Sequence, residues 1–173
     1  MKLLSSCVAV IVLLLTVNTP TLTQTKVRVG VFDSRAIAIA YAQSAAFQQQ
    51  MQAFQAQGQK AKASNDAKLL AEFEAKAQTQ QALLHLQAFS IGSVSEYLVK
   101  YKDDVAAVAK EANVSVIVSQ FELAYQDPSV ETVDVTEALV KKINASPRLT
   151  AMLAGLKTNK PLSMLEALGI KED

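Results

Sequence analysis

The sequence predicts an α+β protein, with a small β-sheet body from which a long antiparallel helical hairpin projects as a coiled-coil arm. Three observations carry this. Two short β-forming stretches, residues 26–32 and 114–119, stand far apart in a chain of 173 residues. The span between them, about 35–112, contains no proline and only Gly58 and Gly92. Apolar side chains in that span recur at alternating steps of three and four, the seam of paired helices. The wider composition agrees, since low Gly and Pro with abundant Ala, Gln, Lys, Glu and Leu is that of long helices.

Residues 1–24 read as an export leader. Lys2 gives a short basic start, and residues 3–17 are an almost unbroken apolar run, shorter than the about 20 residues that span a bilayer as a helix. Cleavage is expected near residue 24. The leader holds Cys7, the one cysteine of the chain, so the exported remainder is expected to fold without a disulfide and to draw stability from packing or association. There are seventeen basic residues, Lys2 among them, against sixteen acidic. Loss of the leader therefore balances the formal charge and argues against nucleic acid, which calls for a clustered basic excess.

The first strand alternates in Lys26-Val27-Arg28-Val29-Gly30-Val31-Phe32. Asp33-Ser34 then offers an N-cap for a helix starting near Arg35. On that helix Ile37, Tyr41, Phe47, Met51 and Phe54 form one stripe, and Ser64-Asn65-Asp66 is the best break. The second helix is expected over 67–112, about 70 Å at 1.5 Å per residue. Its seam runs through Leu84, Ile91, Val94, Leu98, Tyr101, Val105, Val108 and Ala112, with Gln87 the one polar member. Leu69 or Leu70 and Phe73 extend the stripe towards the tip. Gly92 lies within it, at a cost of about 1 kcal/mol relative to Ala, so a bend is expected there.

Asn113 suits a left-handed stop. Val116, Ile117 and Val118 form the next strand, 121–125 is a further candidate, and Asp127-Pro128-Ser129 makes a turn before a short return over 130–133. Asp134-Val135-Thr136-Glu137 opens a last helix with Leu139 and Ile143 on one side. Residues 25–146 thus make one domain, and 147–173 an appended extension with two short apolar groups. So few short strands with one helix make a poor core for a single chain. Val29, Val31, Phe32, Val116, Ile117, Val118, Leu139 and Ile143 are therefore candidates for an oligomeric body.

The stretches Val29-Gly30-Val31-Phe32-Asp33-Ser34, Val116-Ile117-Val118 and Tyr125-Gln126-Asp127-Pro128-Ser129, with the closing run from Val135 to Asn144, resemble the Skp (OmpH) family of periplasmic chaperones over about residues 26–145. The resemblance implies a homotrimer in the periplasm, with a β-body built from all three chains and arms that enclose unfolded outer-membrane proteins without catalysis. The arm departs from the usual basic character of that family: residues 43–90 carry Lys60, Lys62, Lys68 and Lys76 against Asp66, Glu72 and Glu74.

The chemistry-bearing residues are sparse. His85 is the one histidine and sits in the arm between Leu84 and Leu86, with no HExxH or Cys/His cluster to make a metal site. No glycine-rich phosphate loop is present, and Asp103-Asp104 reads as a solvated helix face. An enzyme, a cofactor and a metal are not expected. Phe47, Met51, Phe54, Leu69 and Phe73 have two readings, the packed seam of the arm or the client-contact surface, where aromatic and Met groups suit promiscuous contact. The other functional class is an envelope-tethered structural coiled-coil protein, touching the membrane only through an uncleaved N-terminus.

Overall fold

The computed structural model describes residues 27–171, and the leader expected over 1–24 lies outside them. The elements are β1 (Arg28–Phe32), α1 (Ser34–Ala42), α2 (Ala45–Ala63), α3 (Ala67–Phe89), α4 (Ser95–Lys100), α5 (Lys102–Glu111), β2 (Val116–Ser119), β3 (Glu131–Asp134), α6 (Thr136–Ile143), α7 (Pro147–Thr158) and α8 (Met164–Ala167). Residues 121–125, a strand candidate in the sequence, are irregular.

The long antiparallel helical hairpin expected over 35–112 does not form. The first rod breaks at Gln43-Ser44, where the Ser44 hydroxyl accepts the amide of Phe47 and caps a new helix. The second breaks between Phe89 and Ser95. There the amides of Ser90 and Gly92 both donate to the Leu86 carbonyl, folding the chain back over the last turn of α3. A Cβ on Gly92 would lie 2.9 Å from backbone atoms of Leu86 and Gln87, so the turn needs glycine for close approach. Gln87, the polar member of the seam, is buried and joins the break by bonding the Ser93 carbonyl, Glu96 and Tyr97. A further kink at Tyr101 separates α4 from α5. What projects is a short antiparallel pair, α2 of 19 and α3 of 23 residues, about 28 and 35 Å long. It turns at Ser64-Asn65-Asp66 with Asn65 at φ 55° and Asp66 capping α3.

The three strands form one parallel sheet in the order β2-β1-β3. Register and the two-residue period sort its side chains by face. Phe32, Ile117 and Val133 share the face of Gly30; Phe32 belongs to the hydrophobic core with Ile37, Tyr41, Val108, Leu139, Val140, Leu149 and Leu153, and the partly buried Ile117 and Val133 pack against it. Each such fully buried side chain contributes about 1.5–3 kcal/mol. The opposite face carries Val29, Val31, Val116, Val118 and Thr132, none of them in the core; Val116 is 49% exposed.

Arg28 at the start of β1 and Arg35 in the first turn of α1 fasten the helices to the sheet. Arg28 Nη1 donates to the carbonyls of Ala112 and Asn113 just beyond α5, and its Nη2 bonds Glu131 at 3.0 Å on β3. Arg35 donates to the carbonyls of Leu156 and Asn159 at the end of α7. Both supply cations where helix carbonyls lack partners. Residues 147–170 are thereby fastened to the body: Leu149 and Leu153 enter the core, and the Leu162 amide bonds the Phe89 carbonyl while the buried Ser90 hydroxyl bonds that of Leu162.

Candidate functional site

The arm residues singled out by spacing have different fates. Phe47 is buried, edge-on to Tyr41 with ring centroids 5.6 Å apart, and Met51 packs against the core. The rings of Phe54 and Phe73 lie 4.6 Å apart across the α2–α3 pair, with Phe73 against Gly58. Leu69 is 44% exposed and, with Phe73, Ala61, Lys60, Glu72 and Lys76, lines a groove of about 350 Å³ near the tip. Four of the five thus act in packing, and Leu69 faces out.

The body candidates divide by face. Phe32, Leu139 and Ile143 are core, Ile117 packs against them, and Val29, Val31, Val116 and Val118 line the second face. Parallel sheets ordinarily have both faces covered. Here the second face is apolar, with Val116 49% exposed and Val29, Val31 and Val118 partly buried, none of them part of the core.

A larger cleft, about 780 Å³, opens at the carboxyl ends of the three strands, the usual place for ligands in open parallel sheets. Asp33 and Arg35 follow β1, Gln120 and Phe121 follow β2, and Asp134, Thr136 and Glu137 close β3 and open α6. The far wall is α7 with residues 158–161. Asp33 accepts from the Arg35 amide at 2.9 Å, its Nε at 3.0 Å and its Nη2 at 2.6 Å, and the guanidinium stacks over Phe121 at 5.4 Å. Burial pushes the Asp134 carboxyl up, but bonds from Thr136 and Lys157 outweigh it and hold the group below its ordinary range. The same bond to Asp134 raises the Lys157 ammonium.

Sequence reasoning missed this cleft. Its faint signal is Asp33-Ser34-Arg35, a charged pair directly after an apolar strand, which by spacing alone reads as a helix start. A second exposed region was equally hidden. Phe89, Ile91, Leu162, Met164, Leu165 and Leu168 are all at least 42% exposed around the point where the tail meets α3. No helix among the described residues is long and apolar enough to cross a membrane.

Comparisons with protein-family models, with curated proteins and with solved structures each returned no match to this chain.

Proposed function

We propose that the chain is a non-catalytic, self-associating holding protein for unfolded polypeptides, exported to the periplasm, with unfolded outer-membrane proteins as its clients. The observation that carries this is the exposed apolar band where the tail meets α3, together with a valine face of the sheet that the core leaves only partly covered. The valine face of the sheet is uncharged apart from Asp134 at its border, so identical copies can cover it symmetrically. The band around Phe89, Met164 and Leu165 is irregular and built on flexible Leu and Met side chains, which suit partners without fixed shape. A monomeric soluble protein seldom leaves such patches open. The resemblance of the opening and closing segments supplies the periplasm, the client class and the homotrimer.

Long enclosing arms are not required for this role. Holding would come from several weak contacts on an oligomer, whose joint strength exceeds that of each alone. The test is light scattering of an outer-membrane β-barrel protein diluted from urea. Stoichiometric excess of residues 25–173 should suppress its aggregation, and Leu165→Glu with Phe89→Glu should weaken the suppression. Aggregation that proceeds unchanged in the presence of the unmodified protein defeats the proposal.

A further inference from the structure

From the cleft at the carboxyl ends of the strands we infer a binding site for a small apolar monocarboxylate, separate from any client-holding surface. Most charges in the cleft already have partners. Each acidic group does: Asp33 is held by Arg35, Asp134 by Lys157 at 3.1 Å, and Glu137 by Lys141 at 2.8 Å. Arg35 spends its donors on Asp33 and on two carbonyls of the α7 end, which also masks the negative pole of that helix.

What remains uncommitted is donor chemistry. Lys160 makes no ion pair among the described residues. Gln120 and Thr150, both lining the cleft, are exposed and present further neutral donors to it. The cleft therefore offers a cation and neutral donors with no unmatched carboxylate to repel an anion. Beside the polar Thr136, Thr158 and Asn159, the lining has an apolar part: Phe121, Leu153, Leu156 and Pro161. A volume of about 780 Å³ lies within the range of small-ligand sites. An anionic head at Lys160 with an apolar body along Phe121 and Leu156 satisfies both halves of the lining.

The probes are 4-phenylbutyrate, the neutral 4-phenylbutan-1-ol and the cationic 4-phenylbutylamine, titrated calorimetrically into residues 25–173. The acid should bind at least about tenfold tighter than the alcohol, and the amine more weakly still. Lys160→Glu, on an exposed loop position, should cost the acid about tenfold and leave the alcohol unchanged. Ala154→Phe, at an exposed lining position of α7, should fill the cleft and abolish binding of the acid. Amide shifts in an NMR titration should fall on Gln120, Phe121 and 153–160. The inference is overturned if no probe binds, if all three bind alike, or if the acid binds both variants as it binds the unmodified protein.

Discussion

Replacing Arg35 by Met should be among the costliest single changes in this protein. The guanidinium and the Asp33 carboxylate are 5% and 10% exposed and 2.6 Å apart, so the pair is shielded from the solvent that makes surface ion pairs weak. Met keeps the apolar stem but leaves Asp33 charged and buried without its partner, which costs about 3–5 kcal/mol in comparable sites. It also orphans the carbonyls of Leu156 and Asn159. Against a total stability of about 5–15 kcal/mol for a domain, the loss takes a large share. Arg35→Lys should cost less, about 2 kcal/mol, because an ammonium cannot serve a carboxylate and two carbonyls in one plane. Adding Asp33→Asn to Arg35→Met should recover part of the loss, a coupling of roughly 1–3 kcal/mol. The assay is urea unfolding followed by circular dichroism at fixed protomer concentration, with hydrogen exchange along α7. If Arg35→Met costs less than about 1 kcal/mol and the α7 amides exchange at the unmodified rate, the fastening described for the tail is wrong.

Further outcomes follow from the same contacts. Burial, then the charge of Glu96, push the Tyr97 phenol up to about 12 despite its bond to Gln87. Its stabilising effect is therefore complete below the ordinary value of 10.0 and lost as pH rises towards 12, and absorbance titration should show Tyr97 ionising with that late phase, absent in Tyr97→Phe. Gly92→Val places side-chain atoms against the Leu86 backbone at 2.9 Å, which cannot yield, so a cost of about 2–3 kcal/mol and a Tm lower by roughly 8 °C are expected in a thermal scan. An unchanged Tm there would contradict the folded-back turn. Phe73→Ala removes the ring against Phe54 and Gly58; about 2 kcal/mol is expected for a half-buried ring, with faster hydrogen exchange confined to residues near the arm tip.

How much of this was legible depends on whether the decisive contact was local. The turn at Ser64-Asn65-Asp66, the left-handed Asn113 (φ 51°) and the Asp33 cap are each written in one to three residues and lie where the sequence places them. The hairpin failed because a three–four spacing constrains only which side chains share a face. Val94 and Val108 obey it, yet they pack on the body rather than on a second rod. Gln87 carried the warning: a buried polar group needs partners, and it finds them in the turn that ends α3. Gly92 marked the same place, read as a bend where the chain reverses. The cleft was illegible for another reason. Arg35 meets Leu156 and Asn159 across more than 120 positions, and no pattern in one dimension announces that meeting. Of the two readings of the arm stripe, packing describes Phe47 and Met51, which lean back on the core, while exposed apolar groups gather where the tail crosses α3.

The claim on which the functional reading rests is that the valine face of the sheet is covered by further copies of the chain. Sedimentation equilibrium of residues 25–173, beside the variant Val31→Lys with Val118→Lys, tests it most directly. A mass of three protomers for the unmodified protein and of one for the variant is the predicted result. A single protomer for the unmodified protein at tens of micromolar, with the valine amides and methyls showing no concentration dependence, would contradict it.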